Sequence, residues 1–293
     1  MEPVSGQNLT TSLDVTIMQY ADQVANQILQ KKKAKSVDII VMNPNNGEIY
    51  AMACAPEFDL NSPFEITGDT TSMTAKEKQD LRNQMWRNPC VSDTYEPGST
   101  FKIIAAYAPA LDAGGLTLAS VQDDAPYNYG SGQGGAVNNY DNRYRGFTTL
   151  REAITNSINI VTVKTLAQIG PSLGYDYICD FGITTVGLDE SSNETLALGG
   201  LTHGVTNLEL TAAYATIANS GTYIKPKFYT KILDHDGNVL IDNTEPVSHT
   251  VLKDTTAWLL TDAMKDVMTQ GTGTPAYFGS SMAQAGKSGT TTK

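Results

Sequence analysis

Ser99 and Lys102, in Tyr95-Glu96-Pro97-Gly98-Ser99-Thr100-Phe101-Lys102, place a hydroxyl three residues ahead of an amine. On a helix that spacing puts both side chains on one face, within reach of each other. A serine hydroxyl is a poor nucleophile until a base takes its proton. A lysine can be that base when burial and neighbouring groups lower its pKa. Pro97-Gly98 suits a sharp turn, and Phe101 with Ile103, Ile104, Ala105 and Ala106 predicts a buried helix opening at Ser99. A lysine inside such an apolar run is costly unless paired or neutral. The same residues also fit a serine N-cap followed by an outward-snorkelling lysine. S-x-x-K recurs by chance, and taken alone it favours that second reading.

Two later stretches carry related chemistry. Ser157-Ile158-Asn159 lies 58 residues after Ser99, between two helical runs. Lys287-Ser288-Gly289-Thr290 follows a short strand-like run near the end. Each alone is an ordinary helix junction or strand end. S-x-x-K, then S-x-N, then K-[ST]-G in that order is far rarer than any of its parts.

The elements that must position these residues are partly visible. Asp14 to Lys31 reads as a helix, with Leu13, Ile17, Tyr20, Ala21, Val24 and Ile28 at helical spacing. Residues 1–12 are polar and read as loose. Val37–Met42 and Glu48–Cys54 flank the turn Asn43-Pro44-Asn45-Asn46-Gly47 and predict an antiparallel hairpin. Ala55 to Val91 reads as a long connection with a short helix near Thr74–Met85. The Ser99 helix is expected to end near Gly114-Gly115, kinked at Pro109. Residues 120–147, rich in Gly, Asn, Asp and Tyr, read as a surface loop bordering a cleft. The run Tyr127 to Gly135 lacks the G-x-x-x-x-G-K-[ST] order of a phosphate loop.

Thr149-Leu150-Arg151-Glu152 and Thr206-Asn207-Leu208-Glu209 are capping-box patterns, the second opening a helix through Ala218 closed by Gly221. Tyr223–Leu233 and Val239–Ile241 predict a hairpin around Asp236-Gly237. Asp254 is expected to cap a helix through about Met268, and Ser281–Ala285 to form a strand leading into Lys287.

Composition narrows the class. The chain has 293 residues, 40% hydrophobic and 17% charged, which fits a globular protein with a real core. A net charge of −11 argues against nucleic acid as a partner. Lys31, Lys32, Lys33 and Lys35 read as a solvated helix end, with a membrane-surface contact as the alternative. Cys54, Cys90 and Cys179 are odd in number and widely spaced. They match neither a closed disulfide framework nor a zinc pattern, and read as small buried hydrophobes or free thiols. His203, His235 and His249 are scattered, so no metal is expected. There is no run of about 18 apolar residues.

The three motifs together resemble the serine acyl-transferases that react with penicillin, the penicillin-binding protein transpeptidase domains. Asn43 to Ala53, Pro56 to Asn61 and Trp86 to Ser99 resemble the monofunctional (class B) proteins. Tyr107 to Leu111, Leu198 to Leu201 with Gly204 to Thr206, and Gly271 to Thr274 resemble the bifunctional (class A) ones. The resemblance covers nearly the whole chain as one domain. It implies an α/β (α+β) fold of the β-lactamase/DD-peptidase type, an antiparallel sheet flanked by helices with an all-helical subdomain.

It also implies roles. Ser99 attacks the carbonyl of a D-Ala-D-Ala stem peptide and forms an acyl-enzyme, with Lys102 as its base. Ser157 relays a proton between Lys102, Lys287 and the leaving amine. Asn159 bonds the substrate amide or holds Lys102. Lys287 supplies a positive field, and Ser288 or Thr290 binds the substrate carboxylate. Gly289 permits close approach of substrate, and the N–H groups of Ser99 and Thr290 form the oxyanion hole. No metal or organic cofactor is required. Implied partners are a stem-peptide donor and amine acceptor, β-lactam antibiotics and other cell-wall synthesis proteins. The implied place is the outer face of the bacterial cell membrane, on a membrane-anchored parent.

In this fold two further strands follow the K-[ST]-G strand and complete a five-stranded sheet with the N-terminal hairpin. The expectation is therefore a domain cut short after Lys293. The alternatives are a D,D-carboxypeptidase or serine β-lactamase, for which Glu152, Asp180 and Glu190 are water-activating candidates by type only, and a non-catalytic β-lactam- or peptidoglycan-binding sensor or scaffold.

Overall fold

The computed structural model describes residues 6–66, 69–129 and 135–291. The chain begins with a strand where the sequence reads as loose: β1 (Asn8–Thr11) pairs antiparallel with a strand more than 200 residues away, Tyr229–Leu233. Its residues are all exposed, so no apolar pattern marks it. Helix α1 (Val15–Lys32) is capped by Asp14, whose carboxylate accepts from the Ile17 N–H at 2.9 Å. It ends in the basic run, with Lys31, Lys32, Lys33 and Lys35 all exposed. Strands β2 (Val37–Met42) and β3 (Ile49–Ala55) form the expected antiparallel hairpin. Alternate residues Ala51 and Ala53 pack against Ala21, Ile17 and Met18 of α1 in a small core of their own.

The long connection carries α2 (Ala75–Met85), opened by a Thr74/Glu77 capping box, then α3 (Pro89–Ser92) and β4 (Thr94–Tyr95). The buried run that follows is not one helix. Gly98–Thr100 form a 3₁₀ turn, Ile103–Tyr107 a π-helical turn, and only Ala108–Asp112 is α-helical (α4). Pro109 has no N–H to continue an α-helical ladder, and the wide turn stands immediately ahead of it. Every residue from Phe101 to Ala108 is fully buried.

Strands β5 (Val121–Asp124), β6 (Tyr127–Asn128), β7 (Ala136–Val137) and β8 (Gly146–Thr149) pair as β5–β8 and β6–β7. The Gly130 to Gly134 part of the glycine-rich run lies outside the described residues. Thr149 and Glu152 close the expected capping box on α5 (Leu150–Thr155). Helices α6 (Asn159–Ile169) and α7 (Pro171–Asp180) follow, and their apolar faces join the main core around the 101–108 run.

Strand β9 (Val205–Thr206) pairs with β4, and the Thr206/Glu209 capping box starts α8 (Asn207–Ala218). Strands β10 (Thr222–Ile224), β11 (Tyr229–Leu233), β12 (Val239–Asp242) and β13 (Ser248–Thr250) give the β11–β12 hairpin and a β10–β13 pair. Lys253 rather than Asp254 is the N-cap of α9 (Asp254–Thr269).

The result is an α+β fold of several small antiparallel sheets flanked by helices. The five-stranded sheet implied by the resemblance is not formed among the described residues. Ser281–Ala285 is not a strand, and the hairpin β2–β3 stays a two-stranded sheet, joined to Lys227 by an isolated bridge at Glu48. Ala285 and the β2 residues Ile40 and Met42 instead share the walls of an apolar cavity of about 410 Å³, with Tyr214 and Met264. Ser281 and Met282 complete a turn and a bend, and no partner ladder runs along the residues that follow.

Helix α5 delivers the chain to Ser157, so its cap should matter to both. Thr149→Ala removes the hydroxyl that accepts from the Glu152 N–H at 3.2 Å. Urea unfolding should show a loss of about 1 kcal/mol with the m-value unchanged.

Candidate active site

Lys102 leaves the buried run as its one charged side chain and is fully buried. Its Nζ donates to the Ser157 carbonyl at 2.6 Å, to Asn159 Oδ1 at 2.6 Å and to Ser157 Oγ at 3.2 Å. All three acceptors are neutral oxygens. Burial pushes the Lys102 amine well below the usual lysine range, and the neighbouring Lys287 charge pushes it the same way.

Ser157 presents two oxygens to Lys102 because of its backbone. It sits at φ 57°, a left-handed conformation uncommon for a residue with a side chain. The junction between α5 and α6 enforces it: the Ser157 N–H bonds back to Ile154 and the Ile158 N–H to Ala153. From the far side Lys287 Nζ donates to the same Ser157 hydroxyl at 2.8 Å and to the Ser288 carbonyl at 2.9 Å. Burial lowers Lys287 to about 8.

Asn159 is held on three sides. Its Oδ1 takes the Lys102 bond, its Nδ2 donates to the Asn138 carbonyl at 2.7 Å, and its N–H donates to Asn139 Oδ1 at 3.0 Å. Asn139 Oδ1 also accepts from the Ile160 N–H, at 3.2 Å, so this side chain from another loop caps α6. Asn139 Nδ2 in turn donates to the buried Asp124, which accepts from the Arg145 N–H. Sequence reasoning placed Asn138 and Asn139 in a bordering loop and gave them no role. The cap is 20 residues distant in sequence, which no local pattern registers.

The half-buried Ser99 lies in the 3₁₀ turn, and its hydroxyl makes no hydrogen bond among the described residues. The direct Ser99–Lys102 hydrogen bond suggested by the spacing is therefore not formed. Lys102 turns to Ser157 and Asn159 instead. Catalytic contacts of this kind often tighten only once substrate is bound.

The Ser99 turn is clamped between two distant segments. Gly98, at φ +56°, lies so near the last motif that a Cβ there would stand 2.5 Å from the Thr290 carbonyl oxygen. A Cβ on Gly199 would stand 2.6 Å from the Gly98 carbonyl oxygen. Gly289 abuts Thr100 on the same turn. The Ser288 hydroxyl donates to Thr272 Oγ1 at 2.6 Å, and the Thr291 hydroxyl to Glu96 at 2.9 Å. The Thr290 N–H makes no hydrogen bond among the described residues. Ser99 stands in a first helical turn, where N–H groups lack intrahelical acceptors. Beside this junction a cleft of about 340 Å³ is lined by Tyr95, Glu96, His203, Gly204 and Thr291.

Glu152, Asp180 and Glu190 make no hydrogen bond to Lys102, Ser157 or Lys287. Glu152 is spent on its capping box, and the buried Glu190 accepts from the Thr202 N–H.

Residues 38–293 match the family model described as the penicillin binding protein transpeptidase domain. The chain belongs to the penicillin-binding protein transpeptidase family. It is 37% identical over 201 residues to penicillin-binding protein 1F of Bacillus subtilis, covering 69% of this chain and 27% of that protein. Against penicillin-binding protein 1A of Clostridium botulinum it is 32% identical over 279 residues, 90% of this chain and 32% of that one. The chain thus spans about a third or less of these curated relatives. The D,D-transpeptidase domain of a peptidoglycan glycosyltransferase from Eggerthella lenta shares the fold with a TM-score of 0.79 at 23% identity, over 99% of this chain and 72% of that one. Penicillin-binding protein 3 of Mycobacterium tuberculosis does so with a TM-score of 0.75 at 24% identity, over 94% and 63%. In this penicillin-binding family member, the two lysines and the serine between them come from three motifs spread over 186 residues, Lys102 to Lys287.

The electrostatics of the site set a pH dependence of stability. Lys287 titrates near 8 folded and near 10.5 in an unstructured chain. Between those values the unfolded state binds more protons, so stability rises with pH; below about 8 both states are protonated and this gain is absent. Across that window, wild type should gain on the order of 1 kcal/mol per pH unit more than Lys287→Met. Urea midpoints from pH 7.5 to 10.5 measure it, and parallel curves for the two proteins would refute the assignment.

Proposed function

We propose that this domain is a peptidoglycan D,D-transpeptidase that works through a Ser99 acyl-enzyme. The observation that carries the proposal is the chain Lys102–Ser157–Lys287, built on a desolvated lysine beside the Ser99 turn. A neutral Lys102 accepts the Ser99 hydroxyl proton as Ser99 Oγ bonds to the penultimate D-Ala carbonyl carbon of a stem peptide. The C–N bond to the terminal D-Ala then breaks, and that amine leaves with a proton passed through Ser157. The amine of a second stem peptide attacks the ester, loses a proton to the same chain and releases Ser99. A cross-link results and no cofactor is consumed.

The N–H groups of Ser99 and Thr290 would hold the developing oxyanion. Lys287, with Ser288 or Thr290, would attract the terminal carboxylate. Gly289 keeps that edge close to the Ser99 turn. Asn159 serves as the anchor of Lys102, since its amide oxygen and nitrogen are both engaged there. A β-lactam enters the same way, its ring amide standing in for the peptide bond and its amine remaining tethered.

Stem peptides lie outside the cell membrane, so the domain would act on that face, alongside other cell-wall synthesis proteins. Among the described residues no helix is long and apolar enough to cross a membrane. The engagement of Glu152 and Glu190 elsewhere supports slow rather than fast hydrolysis of the acyl-enzyme.

Fluorescent penicillin should label the wild-type chain persistently and leave Ser99→Ala unlabelled. Rapid loss of label would point to a β-lactamase, and no label on the wild type to a non-catalytic binder. Because Lys102 must be neutral to act, the labelling rate should rise with pH along a limb set by Lys102. Lys287→Ala removes a neighbouring positive charge, so Lys102 holds its proton more tightly and that limb should move to higher pH. A limb that stays in place or moves down would contradict the assignment of Lys102 as base.

A further inference from the structure

Asp38 on β2 and Cys54 on β3 are directly opposed across the hairpin, so their side chains leave the same face as neighbours. It is the face turned away from α1, since Ala51 and Ala53 occupy the other. Cys90 in α3, which packs on both strands, completes a triangle. One carboxylate oxygen of Asp38 and the Sγ atoms of Cys54 and Cys90 all lie within 4.8 Å of one another. The two sulfurs are 3.4 Å apart, both as free thiols. Asp38 Oδ1 is shielded from solvent and has no hydrogen-bond partner among the described residues. A carboxylate oxygen taken from water without a donor is costly, and a bound cation would relieve that cost.

We propose that Asp38, Cys54 and Cys90 bind one thiophilic divalent cation of the zinc class. Two thiolates and a carboxylate suit such an ion better than magnesium or calcium. Tetrahedral zinc with bonds of about 2.3 Å to sulfur sets its two sulfur ligands roughly 3.8 Å apart. The observed pair is within a few tenths of an ångström of that. On binding, two S–H bonds break and their protons go to solvent as two metal–sulfur bonds form, with no change of oxidation state. Cys54 and Asp38 are only partly buried, so a water has access to the fourth position.

The surroundings already orient the ligands. Asn88 Oδ1 accepts from the Cys90 N–H at 3.1 Å, and Asn207 Nδ2 donates to Cys90 Sγ at 3.8 Å. The ion would pin the hairpin to α3, which leads through β4 to the Ser99 turn. The sequence hid this site because its ligands come from three elements, with 15 residues between Asp38 and Cys54 and 35 between the cysteines.

The test titrates the reduced, metal-free chain with Co²⁺ as a spectroscopic probe and then with Zn²⁺. One equivalent of Co²⁺ should give a thiolate-to-metal charge-transfer band that Zn²⁺ abolishes, and Zn²⁺ should raise Tm. Cys54→Ser and Cys90→Ser should each lose the band. Asp38→Asn should weaken binding by at least about tenfold, the loss that even outer-shell changes produce. If a serine variant fails to melt cooperatively, alkylating Cys54 in the folded wild type must also remove the band. A wild-type chain with no such band at saturating Co²⁺, or a band unmoved by the cysteine changes, overturns the proposal. So does a chain isolated with a Cys54–Cys90 disulfide in place of a bound ion.

Discussion

The burial of one amine governs the site. Lys102 stands in a run of residues that are all inaccessible to water, and its hydrogen-bond acceptors are three neutral oxygens. An ammonium group deprived of water and of a carboxylate is strongly disfavoured, so the Lys102 amine gives up its proton far more readily than a free lysine does. The surrounding structure keeps that conflict in place. The Ser157 backbone is held left-handed to offer its oxygens, and Asn159 is fixed from behind by Asn138 and Asn139. Asn139 rests on Asp124, itself buried and bonded to the Arg145 backbone. Asp124 is thus kept two asparagines removed from the lysine, where it steadies the network without pairing with the cation directly.

A second constraint is steric. The Ser99 turn, the Gly199 loop and the Gly289-Thr290 segment meet backbone to backbone, at separations that a Cβ would not allow. Such contacts leave little room for adjustment. They set the Ser99 turn against the Gly289-Thr290 backbone without any regular sheet ladder between the segments. The cleft lined by Glu96 and His203 opens beside this junction, so the clamp and the open space next to it are products of one packing arrangement.

Local chemistry was legible in the sequence and distant pairing was not. The Thr149/Glu152 and Thr206/Glu209 boxes and the β2–β3 hairpin are each written within a few residues, and each stands as expected. The four polar motif residues Lys102, Ser157, Asn159 and Lys287 could be named because their order resembles a known family, and they do converge. Strand β1 was missed because its exposed residues follow no alternation and its partner lies at Tyr229–Leu233. Ser281–Ala285 was misread for the converse reason: its residues suit a strand, but a strand also needs a neighbour. Asn139 was missed because a cap supplied from another loop leaves no trace beside the helix it serves. The contact of Cys54 with Cys90 belongs to the same class of non-local fact.

Counting protons on Ser157 gives the arrangement its chemical sense. A hydroxyl has two acceptor positions and one proton to donate. Lys287 donates to this oxygen at 2.8 Å. A neutral Lys102 would keep its two N–H bonds to the Ser157 carbonyl and Asn159, each at 2.6 Å, and would accept from the Ser157 hydroxyl at 3.2 Å. Two ammonium groups converging on one oxygen in a dry site would repel each other, and burial already disfavours each charge. Losing a proton is therefore easier for this pair than for two free lysines. Lys102, the more deeply buried of the two, is pushed well below the usual lysine range, while Lys287 falls to about 8. With Lys102 deprotonated, the site has an empty proton acceptor on one side of Ser157 and a proton donor on the other. In the proposed reaction these are the two things needed at once, a base for the entering nucleophile and an acid for the departing amine. They arise from one act of desolvation and need no carboxylate among the hydrogen-bond partners of either lysine.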